Sequence, residues 1–206
     1  MSDLAPLFDV RDARCRLGRS KELRIDKFTV RRGEHWCLFG PNGAGKTVLA
    51  NLIQGVRTES RQYVHYASDF DPGTQAFVVS FEEQQRLWQR DNRLDISEYS
   101  SDAIDQGTTV AALIASARNQ VSQDETAVDD LLSALGLLEL RNRGIRYLSS
   151  GQVRKALLAR GLYGVSAQCG GLLILDEPLE SIDQTTRSAI DNVIQRSLGP
   201  QFATLY

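Results

Sequence analysis

Eight residues with the composition of a phosphate-binding loop lie in the first quarter of the chain, Gly40-Pro41-Asn42-Gly43-Ala44-Gly45-Lys46-Thr47. They match the pattern G-x-x-x-x-G-K-[ST]. Because glycine has no Cβ, such a loop can turn its backbone N–H groups toward phosphate oxygens. Lys46 adds a positive charge for the outer phosphates, and the Thr47 hydroxyl is an oxygen ligand that suits Mg²⁺. Residues 40–47, called the phosphate loop below, therefore predict a site for a phosphorylated ligand with Mg²⁺.

Two adjacent carboxylates close an apolar run farther along, Gly171-Leu172-Leu173-Ile174-Leu175-Asp176-Glu177. The run predicts a parallel strand buried on both faces, and the carboxyl end of such a strand borders the ligand crevice of an open α/β sheet. We expect Asp176 in the Mg²⁺ shell and Glu177 near the γ-phosphate, where it would polarise the attacking water. A strand can also end in surface acids without a function, and the phosphate loop argues against that alternative.

The elements that must position these groups are also visible in the sequence. Before the phosphate loop, Trp36-Cys37-Leu38-Phe39 predicts a short buried parallel strand. After it, residues 48–53 predict a helix whose N-terminus points at the phosphates. Residues 4–39 are strand-rich with a turn at 32–34, and residues 76–81 predict another apolar strand. Residues 86–146 are mostly helical in pattern, and a polar loop is expected at 91–107.

A third motif, Leu148-Ser149-Ser150-Gly151-Gln152, precedes a stretch with the pattern of a helix. It resembles the signature motif of ABC-type ATPases, usually LSGGQ, with Ser150 in place of a glycine. A hydroxyl and bare N–H groups at a helix N-terminus can bind phosphate. The resemblance implies that Ser149, Ser150, Gly151 and Gln152 contact the γ-phosphate of an ATP held by another subunit. Residues 148–152 are called the signature turn below.

The resemblance continues after Glu177, where Pro178-Leu179-Glu180-Ser181-Ile182-Asp183 is similar to the family's D-loop, with Asp183 at the aspartate position. The motifs stand in the family's order across nearly the whole chain. They imply an α/β fold of the P-loop NTPase type, with an antiparallel N-terminal β region and a helical subdomain. The expected divisions are residues 1–85, 86–147 and 148–206. The implied activity is Mg²⁺-dependent ATP hydrolysis by two such domains that close head to tail.

The chain departs from the family pattern at several places. Leu17 stands where an aromatic residue usually stacks on adenine, so weaker base recognition is expected. The family's glutamine, which contacts Mg²⁺ and water, would fall at Glu82 in strict register, with Gln84 and Gln85 just beyond, and the sequence leaves these three open. The family's histidine after the last core strand is absent, because the chain stops at Tyr206. We therefore expect a fragment of a longer protein, with weak turnover on its own.

Composition narrows the partners and the location. The net charge of −2 gives no bulk argument for nucleic acid, and no apolar run is long enough to span a membrane. The three cysteines have no metal-binding spacing and favour a reduced, cytoplasmic setting. The family resemblance implies that this setting includes a peripheral position at the inner face of the cell membrane. Three arginines before the signature turn predict a solvated helix end rather than a basic patch; they are Arg141, Arg143 and Arg146.

The residues at positions 79–82, 88–92 and 147–151 resemble those of a molybdenum-transport branch of the family, also described as photorepair proteins, with two ATPase domains in tandem. This chain would match the first domain. The implied function is ATP hydrolysis that energises molybdate uptake through a separate membrane permease. The alternative is a soluble, non-transport ABC protein with a regulatory or nucleic-acid-associated role, and co-purification with a permease or with ribosomes would distinguish the two.

Overall fold

The computed structural model describes residues 6–18, 21–93, 107–118, 125–166, 171–176, 188, 192 and 202–205. The chain divides into two compact units. The sheet unit consists of Met1–Phe77, Gln168–Asp176 and Leu198–Tyr206, and the helical unit of Val78–Ala167 and Glu177–Ser197.

An antiparallel sheet forms the N-terminal part of the sheet unit. Its strands are β1 (Pro6–Leu17), β2 (Lys21–Arg31) and β4 (Val64–Tyr66), in the order β2-β1-β4. The β1–β2 hairpin pairs Leu17 with Lys21 and Cys15 with Leu23. The predicted strand-rich N-terminal region is confirmed, and its register places Leu17 at the end of the long hairpin.

A second sheet contains β3 (His35–Trp36), β5 (Ala76–Val79), β6 (Gly171–Leu175) and β7 (Phe202–Leu205), in the order β3-β7-β6-β5. Strand β7 runs parallel to both β3 and β6. Every residue of β6 is buried, as the uninterrupted apolar run predicts for a strand covered on both faces. The expected buried parallel strand before Asp176 is therefore confirmed.

The predicted buried strand at residues 36–39 is wrong in its burial and its length. Strand β3 ends at Trp36, which is 40% exposed, and Phe39 is wholly exposed. The parallel direction is right, since His35 and Trp36 pair with Thr204 and Leu205. Strand β3 lies at the edge of the described sheet, and an apolar tetrapeptide does not distinguish an edge strand from a central one.

Three helices belong to the sheet unit, α1 (Lys46–Ile53), α2 (Ser60–Tyr63) and α3 (Pro72–Gln75). The helix predicted after the phosphate loop is confirmed as α1. It buries Leu49, Leu52 and Ile53, whose spacing of three and four residues gives one apolar face. That burial anchors the end of the phosphate loop to the core.

The helical unit contains α4 (Phe81–Arg93), α5 (Val110–Ala115), α6 (Glu125–Ala134) and α7 (Ser150–Ser166). Two short 3₁₀ turns, Leu138–Leu140 and Ile145–Tyr147, lead into α7. Helix α7 packs against α4, α5 and α6 and is mostly buried. The expected mixed α/β fold with a helical part is confirmed. Within the described residues, no helix has the length and hydropathy needed to cross a membrane.

Two expectations at the ends of α4 are wrong. The predicted strand at 76–81 stops at Val79, because Ser80 caps the next helix and accepts a hydrogen bond from the Glu83 amide through its Oγ at 3.1 Å. Asp91, expected in a polar loop, lies in α4 and is 2% exposed. Its burial depends on an arginine distant in sequence, which a local polarity pattern does not reveal. Most of the predicted loop, residues 94–106, lies outside the described residues.

Candidate nucleotide-binding site

The phosphate loop connects β3 to α1 through two residues with positive φ, Gly43 (80°) and Gly45 (101°). Gly45 is the N-cap of α1, and no side chain caps this helix. The first N–H groups of a helix have no partner within the helix, and they carry the positive end of its dipole. The loop therefore directs uncapped donors and a helix N-terminus toward any ligand bound there.

Lys46 begins α1 and folds back over the loop. Its Nζ donates to the carbonyl oxygen of Gly40 at 2.8 Å and lies 3.4 Å from that of Pro41. The Ala44 amide also donates to the Pro41 carbonyl at 3.1 Å. These bonds keep the lysine charge within the loop, where a phosphate could replace the two carbonyl oxygens as its partner.

Thr47 and Asp176 come together although 129 positions separate them. The Thr47 hydroxyl donates to Asp176 Oδ2 at 2.7 Å. Thr47 is in the first turn of α1, and Asp176 follows β6 directly. The pairing of a strand end with the phosphate loop agrees with the general position of ligand crevices in open α/β sheets.

The donor set at this point fits Mg²⁺. A hydroxyl and a carboxylate supply hard oxygen ligands, and Mg²⁺ is usually held by one or two carboxylates together with waters and substrate phosphates. Among the described residues there is no cluster of three or more His, Cys, Asp or Glu side chains that would hold a metal by protein groups alone. A hydroxyl with one carboxylate thus suits a cation whose remaining ligands are phosphate oxygens and waters.

The end of the hairpin lies against the phosphate loop. A Cβ added to Gly45 would lie 3.2 Å from Leu23 Cδ1 and 3.3 Å from Leu17 Cδ1. Leu17, the candidate for covering the base, is thus next to the loop. Leu23 was missed by the sequence reasoning. Because Leu23 pairs with Cys15, it is a diagonal neighbour of Leu17 on the same face, and the hairpin register was the signal that could have identified it.

The signature turn starts α7 in the helical unit with a reciprocal capping box. The Ser149 amide donates to Gln152 Oε1 at 2.9 Å, and the Gln152 amide donates to Ser149 Oγ at 3.3 Å. Ser150 is exposed, and a Cβ added to Gly151 would meet nothing within 4 Å. The turn is ordered by its own side chains and has open space at its centre.

The three candidates for the family's glutamine differ in burial. All lie in the first half of α4 rather than in a loop. Glu82 and Gln85 are exposed, whereas Gln84 is 0% exposed and its amide oxygen and nitrogen have no hydrogen-bond partner within the described part of the chain. Glu177 and Asp183, proposed from the sequence for water activation and the D-loop, lie outside the described residues.

The sequence predicts that the three arginines before the signature turn form a solvated helix end, but two of them are ion-paired in the structure. Arg146 is 7% exposed at its side chain and pairs with Asp91. Arg141 pairs with Asp129 at 2.7 Å and with Glu125 at 3.1 Å. Arg143 is exposed. The prediction failed because the acidic partners are remote in sequence.

Comparison with known proteins agrees with these motifs. The sequence profile of a family described as ABC transporter matches residues 23–180. The ABC transporter ATP-binding protein ModF of Escherichia coli (strain K12) is 33% identical, over 85% of this chain and 33% of ModF. The Tungstate uptake system ATP-binding protein TupC of Peptoclostridium acidaminophilum is 30% identical, over 86% of this chain and 74% of TupC. The chain thus spans about a third of the length of ModF.

A solved structure gives the same result for the fold. The structure of cbiO1 from Clostridium perfringens, described as part of the ABC transporter complex cbiONQ, matches with a TM-score of 0.61 over 97% of this chain and 77% of that chain. The sequence identity is 19%. At that identity the likeness concerns the backbone architecture, which agrees with the P-loop fold built from β3, the phosphate loop, α1 and β6.

Proposed function

Because the chain belongs to the ABC transporter family, whose ATP-binding domains are ATPases, we propose that it binds ATP with Mg²⁺ and hydrolyses it. The observation that carries the proposal is the 2.7 Å contact between Thr47 and Asp176 beside the phosphate loop. This contact joins the two motifs that the sequence predicted for one site. It also brings together two oxygen ligands that suit Mg²⁺, next to the loop whose N–H groups suit phosphate.

Each group in the site has a defined task. Backbone N–H groups of the loop and the Lys46 ammonium bind the phosphates, and their fixed dipoles and charge stabilise the negative charge of the transferred group. Thr47 and Asp176 would hold Mg²⁺, which when bound would neutralise phosphate charge. Leu17 lies beside the loop and covers the base by apolar contact alone. Glu177 orients the attacking water as the general base.

A second ATPase domain completes the site in this proposal. The signature turn of one domain binds the γ-phosphate held by the phosphate loop of the other, through Ser149, Ser150, Gly151 and Gln152, with Asp183 beside it. The exposed Ser150 hydroxyl and the open space around Gly151 support this role. Closure of the two domains excludes water from the reaction.

The transported substrate is inferred from relatives. An ATP-binding domain that acts with a membrane permease does not itself contact the cargo, so its own residues carry no direct information about it. We assign import of a tetrahedral metal oxyanion, with molybdate as the first candidate, because the sequence resembles a molybdenum-transport branch and because TupC is named for tungstate uptake. In this role the chain acts from the cytoplasmic face of the membrane, bound to the permease.

Calorimetric titration with ATP, with and without Mg²⁺, tests the nucleotide site. Asp176→Asn should weaken Mg²⁺-dependent ATP binding and abolish phosphate release, while its metal-free binding stays close to wild type. Asp69→Asn is the matched control, since Asp69 is an exposed carboxylate that pairs with Arg32 in the same unit. Equal Mg²⁺ dependence in wild type and Asp176→Asn would overturn the assignment of the metal ligands.

The transport role needs a separate experiment in cells. The chain should co-purify with a membrane permease, and cells that carry Lys46→Ala should take up less labelled molybdate than cells that carry the wild type. Co-purification with ribosomes or nucleic acid and no permease would favour the non-transport alternative. If Lys46→Ala lowers the uptake of tungstate or sulfate but not of molybdate, the assigned cargo is wrong and the ATPase proposal still stands.

A further inference from the structure

A buried ion pair lies beside the signature turn. Arg146 Nε donates to Asp91 Oδ2 at 3.0 Å, and Arg146 Nη2 donates to the backbone oxygen of Asp91 at 3.1 Å. The side chains are 7% and 2% exposed. Burial alone raises the pKa of the Asp91 carboxyl, but hydrogen bonds from Thr108 and Arg146 outweigh it and hold the pKa below its usual value. The Asp91 carboxylate is therefore favoured in its charged form, and removing either partner would leave the other buried without its counter-charge.

The pair joins three separate segments of the helical unit. Asp91 lies in α4, Arg146 in the 3₁₀ turn that ends one residue before the signature turn, and Thr108 between them in sequence. The Thr108 amide donates to the second carboxylate oxygen of Asp91 at 2.9 Å. A Cβ on Gly107 would lie 2.5 Å from both Arg146 Nη2 and Asp91 Oδ2. The backbone of the third segment therefore packs directly against the pair.

Two further contacts tie the same helix to the signature region. Trp88 Nε1 donates to the Ile145 carbonyl oxygen at 3.4 Å. Glu83, near the start of α4, faces Arg160 of α7 at 3.7 Å. Contacts to the signature region thus occur at three positions along α4, namely 83, 88 and 91. The Asp91–Arg146 ion pair is the most buried of these contacts. The chain that enters the signature turn is held to α4 by its carbonyl group and by its arginine.

We propose that the Asp91–Arg146 pair is a positioning device for the signature turn, which keeps Ser149, Ser150 and Gly151 at a fixed place and orientation relative to α4. We assign neither residue a catalytic role, because both side chains are buried and act through the turn that follows them. The proposal rests on the proposed function, since it assigns the turn a part in ATP hydrolysis. Its physical basis is that small displacements of a positioned group reduce turnover strongly while leaving remote binding intact.

The test compares Asp91→Asn with wild type in the full chain. Asparagine keeps an oxygen for the Thr108 amide but places an uncharged NH₂ or a neutral oxygen against Arg146. Turnover per folded molecule, from phosphate release corrected by circular dichroism, should fall about tenfold or more. ADP affinity should stay within about twofold, because the phosphate loop belongs to the other unit. Amide hydrogen exchange in a peptide covering residues 147–155 should become faster.

Two variants guard against a general loss of folding. Arg146→Lys keeps the charge but cannot make both hydrogen bonds to Asp91, and it should give an intermediate loss of turnover. Asp129→Asn is the matched control, since Asp129 forms a more exposed pair with Arg141 in the same unit. It should leave turnover and the exchange of residues 147–155 unchanged. If Asp91→Asn does not fold, Arg146→Lys carries the same comparison.

The outcomes separate this inference from the function on which it rests. Wild-type protein that neither binds nor hydrolyses ATP overturns the proposed function, and the positioning role falls with it. If the wild type hydrolyses ATP and Asp91→Asn has the same turnover per folded molecule, the positioning role alone is overturned. Equal exchange of residues 147–155 in the two proteins also overturns it. A parallel loss of ADP affinity and turnover would show a general structural role and contradict the proposal.

Discussion

Helix α1 begins at the phosphate loop and helix α7 begins at the signature turn, and the two helix starts treat their first N–H groups differently. At α1 the N-cap is Gly45 in a left-handed conformation, with no side-chain cap. At α7, Ser149 and Gln152 bond to each other's amides in a capping box. One helix start leaves its donors for a ligand, and the other satisfies part of them from its own sequence.

The phosphate loop thus leaves N–H groups for a ligand to satisfy, whereas the signature turn is ordered by its own hydrogen bonds. The phosphate loop also contains a cation, Lys46, whose Nζ contacts two carbonyl oxygens of the loop. The signature turn has no acidic residue in the first turn of α7 and keeps its shape through hydrogen bonds within the turn. Nucleotide should therefore change the loop more than the turn, and variants of the two segments should affect different measurements.

The largest effect is expected for Lys46→Ala. Removing a cation that is paired with desolvated phosphates costs about 2–5 kcal/mol of binding free energy, which raises the Kd for ATP about 30-fold or more. The fold should persist, because the Lys46 contacts are to loop carbonyls and not to the core. Calorimetry with ATP measures the loss, and circular dichroism checks folding. Wild-type ATP affinity in this variant would mean that the phosphate loop is not the ATP site.

Gly45→Ala should produce the next largest effect. A residue with Cβ is strained at φ 101°, by about 1–2 kcal/mol, and the added atom would crowd Leu17 and Leu23. Gly136→Ala is the control, because Gly136 has φ 67° and open space around it. Urea denaturation should show lower stability for both variants, and only Gly45→Ala should bind ADP more weakly. Equal ADP affinity in the two would mean that the loop tolerates a displaced Gly45.

The parts of the fold that the sequence predicted have local signatures. Turn glycines with a lysine marked the phosphate loop, residues 4–39 were marked as strand-rich, and an uninterrupted apolar run marked the buried strand β6. In each case the pattern reflects the residue's own conformation or its burial on both faces. Parallel pairing of β6 also agrees with the expectation, since the chain returns beside it as β7.

The features that the sequence missed depend on partners far along the chain. Phe39 is apolar yet exposed, because the chain leaves the sheet after Trp36. Asp91 is polar yet buried, because Arg146 lies 55 positions away. Leu23 reaches the phosphate loop only through the hairpin register. A single sequence shows residue types and spacing, whereas these three outcomes follow from tertiary contacts between remote segments.

Ser149→Ala tests the signature side of the comparison. Loss of the N-cap hydroxyl should reduce the free energy of unfolding by about 1 kcal/mol. ADP affinity should not change, because ADP lacks the γ-phosphate assigned to this turn. Gln152→Ala removes the other half of the capping box and should destabilise less, since the serine cap remains. A change in ADP affinity in either variant would contradict the separation of the two helix starts.

Leu17→Tyr should have the smallest effect and the opposite sign. Leu17 lies next to Gly45, so a ring at this position can stack on a base whose phosphates occupy the loop. An aromatic contact contributes about 0.5–1.5 kcal/mol beyond its buried area, which tightens ATP binding about tenfold at most. Leu17→Met is the matched control, because it keeps the volume and adds no ring.

Pyrophosphate serves as the ligand control for the Leu17→Tyr experiment, because it occupies a phosphate site but has no base. Calorimetry should show tighter ATP binding in Leu17→Tyr, no gain in Leu17→Met, and equal pyrophosphate affinity in all three proteins. Tighter pyrophosphate binding would mean that the tyrosine acts on the loop itself, through its contact with Gly45. Unchanged or weaker ATP binding would mean that Leu17 supports the phosphate loop without facing the base. In that case the uncapped N–H donors and Lys46 would account for nucleotide binding at the start of α1.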